Sequence, residues 1–320
     1  MVFVLVGDVL QTNNSCHSQI DLSIKKNFKL KYIMSKIAES ELILNADGSI
    51  YHLNLLPEDI SDIIINVGDP DRVKTVTDYF DTIEIKKQKR EFVTHTGLYK
   101  GRKMTVISTG IGTDNIDIVY NELDALVNVD LKTRTIKENK TSLKLIRLGT
   151  SGALQGDIAP DSFVCSRYGL GLDGLLNFYK YYNTEEEKKI IDAFQKYYPN
   201  HGVFAQSYFF KGSDLLFDSL SPGMHTGITA SCCGFYGPQG RVVRAPLARE
   251  GMIDLLSTFR TNDVRITNFE METSAMFGLA KILGHHCASV NVIVANRIKQ
   301  EFSKDYKTSL GKMIVTCLDR

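Results

Sequence analysis

Residues 63–73 of the chain read IIINVGDPDRV, and this stretch decides the fold class. Its first five residues are mostly β-branched and apolar, which is typical of a strand buried on both faces. Gly68 ends the run, and Asp69-Pro70 then opens a helix, because proline suits the first helical turn. A buried strand that passes directly into a helix indicates an α/β protein with parallel strands.

The same alternation continues along the chain. Strands are predicted at 63–67, 104–108, 143–148, 162–165, 203–205, 227–230 and 288–295, and helices at 71–79, 113–126, 184–197, 272–283 and 307–318. No repeat, low-complexity tract or linker interrupts the pattern. We therefore predict a single α/β domain with one central, mixed but largely parallel sheet flanked by helices.

The first 33 residues differ from the rest. Their apolar stretch, MVFVLVGDVLQ, has no basic residue before it and no small-residue cleavage site after it, so a signal peptide is not expected. From Met34 onward the text looks like an ordinary domain start. We predict that residues 1–33 are an N-terminal extension outside the fold and that the domain spans 34–320.

Composition excludes several function classes. The 320 residues carry 38 basic and 37 acidic side chains, so no broad positive field favours nucleic acid. The longest apolar runs are far shorter than the roughly 18 residues of a membrane span. The six cysteines form no CxxC pair, which indicates neither zinc nor a disulfide framework and favours a reducing, cytoplasmic setting. The basic segment 132–140 is interpreted as a solvated excursion, with a nucleic-acid patch as the alternative.

Three segments at strand ends could bind an anion. At Gly68 and Arg72, an open backbone, a helix N-terminus and a guanidinium come together, which suits an anion. The alternative is an ordinary strand-to-helix connection in which Asp69 only caps the helix. STGIGTDN (108–115) offers a glycine-rich nest. In LIRLGTSGAL (145–154), Arg147 lies within an apolar strand and needs either an anion or a structural glutamate. Together the three segments predict one bound phosphate.

Two further segments carry polar residues of another kind. GFYGPQGR (234–241) is a shaped loop in which Gln239 and Arg241 match a flat ring such as uracil, although a plain surface turn is the alternative. In NFEMETSAMFGLAKILG (268–284), Glu272 could accept hydrogen bonds from a ribose diol. The alternative is that Glu270 and Glu272 only complement the helix dipole.

The ordered set of motifs resembles the nucleoside phosphorylase I family, and within it the uridine phosphorylases. The motifs are GDPDRV (68–73), KREF (89–92), STGIG (108–112), RLGTSGAL (147–154), GFYGPQGR (234–241), NFEMET (268–273) and VIVANR (292–297). The resemblance covers about residue 50 to the C-terminus and implies a partly closed barrel. It also implies reversible phosphorolysis of uridine to uracil and ribose 1-phosphate.

The resemblance further implies three subsites. Phosphate would be bound by Gly68, Arg72, Arg90, Arg147 and Thr150; ribose by His52, Met271 and Glu272; and the base by Phe235, Gln239, Arg241 and Arg297. Arg241, Gln239 and Arg147 would carry the catalysis. His52 and Arg90, which in isolation read as structural or surface residues, would cross the interface of a homodimer or of a hexamer built from dimers.

Some positions leave alternatives open. Thr113-Asp114-Asn115 replaces the Gly-Pro-Ser of microbial members, so a monovalent cation held by Glu91 at the dimer contact is an open question, and phosphate is otherwise the only co-substrate expected. The loop after Arg241 is short, which makes Arg244 the alternative base-binding arginine. A purine phosphorylase, a hydrolytic nucleosidase and an inactive nucleoside-binding protein are the rival functions.

Overall fold

A computed structural model describes residues 36–198, 206–261 and 264–320. The predicted N-terminal extension and the predicted strand at 203–205 lie outside these ranges.

The described chain alternates strands and helices. Its strands are β1 (Ile63–Val67), β2 (Thr82–Lys89), β3 (Phe92–Tyr99), β4 (Arg102–Ser108), β5 (Val129–Asp130), β6 (Thr135–Ile136), β7 (Lys144–Ala153), β8 (Phe163–Gly171), β9 (Tyr208–Lys211), β10 (His225–Ser231), β11 (Arg260–Thr261), β12 (Val264–Glu270), β13 (His286–Asn296) and β14 (Glu301–Phe302). Its α-helices are α1 (Pro70–Thr77), α2 (Thr113–Asn128), α3 (Glu185–Tyr197), α4 (Asp214–Leu220), α5 (Met252–Thr258), α6 (Thr273–Leu283) and α7 (Tyr306–Asp319).

One mixed sheet organises the domain, with strand order β11-β12-β10-β8-β13-β7-β1-β4-β3-β2. Parallel ladders join β4, β1, β7 and β13, and others join β8, β10 and β12. The sheet curls back on itself, because β12 also pairs antiparallel with β7 at Phe269 and Gly152. The predicted α/β class and partly closed barrel are confirmed, and the closure brings the end of β12 to the middle of the sheet.

Helices cover the two faces of the sheet. On one face, α2 and α6 pack together over buried residues such as Ile64, Leu145 and Cys287. On the other, α1, α4 and α7 pack over Ile65, Ile146 and Val290. Residues that alternate along β1 and β7 therefore face opposite cores, which explains why these strands are apolar on both sides.

Several predicted elements differ from the structure. The strand predicted to end at Leu148 continues to Ala153, because β13 pairs with it as far as Asn296. The prediction gave no strands for β2 and β3, which form an antiparallel hairpin at the edge of the sheet. Segment 132–140, predicted as a solvated excursion, contains part of the small β5–β6 hairpin, and its Arg134 side chain donates to the carbonyl oxygen of Leu42.

Within the described residues, no helix is both long enough and apolar enough to cross a membrane.

Candidate active site

A pocket with a volume of about 1000 Å³ opens where β1, β4, β7, β12 and β13 end or meet. It gathers residues from every motif that follows a predicted strand. Its lining includes Gly68, Arg72, Arg147, Thr150, Phe235, Gln239, Arg241, Met271, Glu272 and Arg297. The structure therefore brings together ten of the twelve residues named from the sequence.

One end of the pocket is formed by the turn after β1 and by β7. Asp69 accepts a hydrogen bond from the backbone N–H of Asp71 at 3.0 Å, so its side chain caps α1 and turns away from an anion. Arg72, in the first turn of that helix, donates to the carbonyl oxygen of Leu148 at 3.4 Å. The bare Cα of Gly68 leaves the backbone open beside Arg147, since a Cβ there would lie 4.0 Å from Nη1.

Arg147 is buried between two carboxylates. Its Nη2 donates to Oε2 of Glu272 at 2.5 Å, and its Nε lies 3.3 Å from Oε2 of Glu270. Its Nη1, which is also buried, has no hydrogen-bond partner among the described residues. Arg147 therefore pairs with structural carboxylates, which was one of the two alternatives, and its Nη1 is a donor that an anion could accept from.

Glu270 anchors this arrangement. Its carboxylate accepts the hydroxyl of Ser231 at 2.7 Å and the backbone N–H groups of Glu272 and Thr273, each at 3.0 Å. These bonds satisfy the free N–H groups at the start of α6. The alternative given above, that this carboxylate only complements the dipole at the start of the helix, is therefore adequate for Glu270.

Glu272 lines the pocket and is 3% exposed. Besides Arg147, it accepts the backbone N–H of Gly112 at 2.8 Å. Burial raises the pKa of Glu272 above its usual value, Arg147 opposes that rise, and the negative charge of Glu270 adds to it. An ionised Glu272 keeps lone pairs for further hydrogen bonds, so it can accept from hydroxyl groups of a ligand.

The other end of the pocket is formed by the loop that follows β10. A short 3₁₀ turn, Gly237–Gln239, buries Gln239, and Gly240 ends it in a left-handed conformation with φ 66°. Arg241 Nη1 then donates to Oε1 of Gln239 and to the carbonyl oxygen of Phe235, both at 2.6 Å. Its guanidinium also lies over the ring of Phe235, with Cζ 3.8 Å from the ring centroid.

Arg297, the residue directly after β13, supports the same loop. Its Nη1 donates to the backbone carbonyl of Gln239 at 3.3 Å. Burial lowers the pKa of Arg241 to about 10, and the nearby charge of Arg297 acts in the same direction. Both side chains therefore remain cations at neutral pH. This end of the pocket is positively charged and rich in donors.

Two predicted site residues lie outside the pocket of this single chain. His52 Nδ1 lies 2.6 Å from Oε1 of Glu122, on α2. Arg90 is exposed in the turn between β2 and β3, where its φ is 56°. Arg244, the alternative to Arg241, is exposed and does not line the pocket. Of these two arginines, Arg241 is the one that lines the pocket.

The sequence prediction gave no site role to several other lining residues, among them Phe269, Ile111 and Asn296. Phe269 is a buried strand residue whose type carries no signal of a site, and only the closure of the barrel places it there. Glu91 and Asn115 also line the pocket. Among the residues described, no group of three or more His, Cys, Asp or Glu side chains could hold a metal ion.

Comparison with known proteins adds to this geometry. The chain is 29% identical over 278 residues to a uridine phosphorylase of Thermococcus kodakarensis, covering 85% of this chain and 86% of that protein. It is 25% identical to a DeoD-type purine nucleoside phosphorylase of Buchnera aphidicola, covering 84% of this chain and 97% of that one.

Among solved structures, a Trypanosoma brucei nucleoside phosphorylase described as showing uridine phosphorylase activity superposes with a TM-score of 0.78. It shares 28% sequence identity, and the match covers 87% of this chain and 99% of the other. The sequence profile described as "Phosphorylase superfamily" matches residues 62–318. The resemblance found in the motifs is therefore confirmed, and the chain belongs to the phosphorylase superfamily.

Proposed function

We propose that the protein catalyses the reversible phosphorolysis of uridine to uracil and ribose 1-phosphate. The observation that carries the proposal is the distribution of charge along one pocket. One end presents the free Nη1 of Arg147 beside Arg72, and the other presents the guanidinium groups of Arg241 and Arg297. A buried carboxylate, Glu272, lines the same pocket and pairs with Arg147. The uridine phosphorylases among the similar proteins support this assignment.

At the first end, phosphate would bind the backbone of Gly68, the guanidinium groups of Arg72 and Arg147, and the hydroxyl of Thr150. No side chain has to act as nucleophile, because a phosphate oxygen attacks the anomeric carbon of the ribose. The bond from that carbon to the base nitrogen breaks as the new carbon–oxygen bond forms. The positive charge that develops on the sugar is stabilised by the phosphate itself.

In the middle, Glu272 would accept hydrogen bonds from the two ribose hydroxyls, with Met271 beside the sugar. Its present partners, Arg147 and the N–H of Gly112, hold the carboxylate in place. Binding energy from the sugar can then be used to align the anomeric carbon with the phosphate.

At the second end, uracil would lie beside Phe235 and receive hydrogen bonds from Gln239 and Arg241. The electron pair of the breaking bond moves onto the ring nitrogen and carbonyl oxygens of the base. Donors that face this developing negative charge bind the transition state more tightly than the substrate, which accelerates the reaction. Oε1 of Gln239 accepts from Arg241, and among the described residues no acceptor is bound to its amide N–H groups, which could therefore face the base.

His52 and Arg90 enter the proposal as residues donated by a neighbouring copy of the chain in a homodimer or a hexamer of dimers. Mixing an inactive Arg90→Ala variant with an inactive Arg147→Ala variant tests this. If Arg90 acts across the interface, random dimers regain about one quarter of the wild-type sites, since each heterodimer has one intact site. If Arg90 acts within its own chain, mixing restores nothing.

The primary test follows uracil release from uridine by ultraviolet absorbance, with and without inorganic phosphate. We expect release that depends on phosphate and forms ribose 1-phosphate. Phosphorolysis of inosine in place of uridine would indicate a purine phosphorylase, as in the Buchnera relative. Base release from methylthioadenosine without phosphate would indicate a nucleosidase, and binding without turnover an inactive binding protein. Phosphate is the only co-substrate in the proposal. An enzyme that releases uracil from uridine would serve pyrimidine salvage, and the proposal includes a cytoplasmic location.

A further inference from the structure

Two cations lie close together at the base end of the pocket without a carboxylate to balance them. Among the described residues, neither Arg241 nor Arg297 has an acidic side chain within ion-pair distance. Their hydrogen-bond partners are the carbonyl oxygen of Phe235 and the side-chain and backbone oxygens of Gln239, which are neutral. Like charges repel strongly in a partly buried site. Phe235 already attracts Arg241, whose Cζ lies 3.8 Å from the centroid of that ring, but a contact shared by both guanidinium groups is still needed to offset their mutual repulsion.

Phe269 supplies a surface that both cations share. The Cζ atom of Arg297 lies 5.5 Å from the centroid of its ring, and that of Arg241 lies 5.8 Å from it. Both distances fall within the range of cation–π attraction, which is about 6 Å. The ring is 1% exposed, so water screens the attraction little.

The position of this ring is fixed by the barrel closure. Phe269 on β12 pairs with Gly152 on β7, and a Cβ on that glycine would lie 3.0 Å from the ring and 3.6 Å from Cγ of Arg297. Glycine therefore permits the ring and the arginine stem to pack against β7. The ring cannot turn aside without disturbing this junction of the barrel.

We propose that Phe269 is a positioning residue for the base-binding arginines. The negative face of its ring attracts both guanidinium groups and offsets their mutual repulsion. It thereby keeps Arg241 where the negative charge of the departing base develops. This inference rests on the proposed function, since it assigns to Phe269 a part in the phosphorolysis of uridine.

A series of fluorinated side chains tests the proposal. Nonsense suppression can replace Phe269 with mono-, di- or trifluorinated phenylalanine. Each fluorine withdraws electrons from the face of the ring and changes its shape little. We expect kcat/KM for uridine to fall stepwise with each fluorine, by about 2- to 30-fold at the trifluorinated end. The KM for phosphate should stay unchanged, because the cations described over this ring are Arg241 and Arg297 and not Arg147 or Arg72.

Phe277 offers a matched control. Phe277, on α6, is as buried as Phe269. A Cβ added at Gly212 would lie 3.0 Å from its ring, the same distance as from a Cβ at Gly152 to the ring of Phe269, so a fluorine would be similarly crowded at both rings. Among the described residues no cation lies over its ring. Fluorination of Phe277 should leave kcat/KM unchanged.

The outcomes are separable. A flat or rising series at Phe269, with an active wild-type enzyme and unchanged thermal midpoints, overturns the inference while the proposed function stands. An equal decline at Phe277 overturns it as well, because crowding then explains the effect. If wild-type protein releases no uracil from uridine, the proposed function itself fails. Phe269→Leu gives a second measurement: it should lower kcat/KM for uridine more than the trifluorinated ring does, and an activity equal to wild type contradicts the proposal.

Discussion

Replacing Arg241 by alanine tests the chemistry at the base end of the pocket. In the wild type, Nη1 of Arg241 donates to Oε1 of Gln239 at 2.6 Å, and Cζ of Arg241 lies 3.8 Å from the centroid of the Phe235 ring. Alanine removes the guanidinium that faces the departing base. It also frees the amide of Gln239 to rotate, so a second donor loses its orientation.

The expected loss can be worked out from these contacts. Removing one preorganised donor that faces developing charge costs about 2.7–4 kcal/mol, or about 10²–10³-fold in kcat. Because Arg241 also orients Gln239, we expect the alanine variant to lie at the upper end of that range. Arg241→Lys keeps the charge but loses the planar fork, so its activity should be intermediate.

The assay is the rate of uracil release at saturating phosphate, with unfolding midpoints measured in parallel. Arg244→Ala is the matched control, because it removes an exposed arginine three positions away that does not line the pocket. We expect wild-type activity from the control. Near-normal turnover by Arg241→Ala, or a large loss in Arg244→Ala, would refute the assignment of the base-binding arginine.

Three further predictions concern other parts of the molecule. Glu272→Gln should reduce kcat/KM for uridine about 10²-fold or more, because an amide accepts fewer hydrogen bonds from a diol than a carboxylate does; steady-state kinetics with unchanged values would contradict this. Glu187, at the start of α3, is buried, which opposes ionisation, but hydrogen bonds from Lys281 and backbone N–H groups lower its pKa. Its ionised form therefore stabilises the fold above its unfolded pKa of about 4.3, and that contribution is lost as the pH falls through the lower folded value. Glu187→Gln should accordingly lower the free energy of unfolding by about 1.5–3 kcal/mol at pH 7, a difference that urea titrations should show shrinking in acid. Gly171→Ala should cost about 1–3 kcal/mol, because its Cβ would lie 2.2 Å from the buried ring of Tyr208; a thermal midpoint equal to wild type would contradict the packing described.

The fold class could be predicted from the local sequence pattern, but the edge strands of the sheet and the full length of β7 could not. The run at β1 and the Asp69-Pro70 helix start are decided by neighbouring residues. In contrast, β2 alternates exposed and half-buried side chains at an edge, so it lacks the apolar run of a central strand. The extension of β7 to Ala153 depends on pairing with Asn296, far along the chain.

The site was predictable in its residue types more than in its contacts. Arg147 was identified because a guanidinium inside an apolar strand needs a partner. That its partners are Glu270 and Glu272 depends on the barrel closure, which no local pattern encodes. The same closure brings in Phe269, which reads as an ordinary core residue. Local sequence thus indicates which residues are unusual, and long-range pairing decides what they meet.

The β5–β6 hairpin has a practical consequence. It precedes the first residue of β7, whereas Arg147 and Thr150 lie further along that strand, so the hairpin projects from the end of the sheet opposite the pocket. Its tip, including Lys132 and Thr133, is exposed. A tether attached there would immobilise the protein on a solid support with the pocket mouth facing the solution, open to incoming solutes.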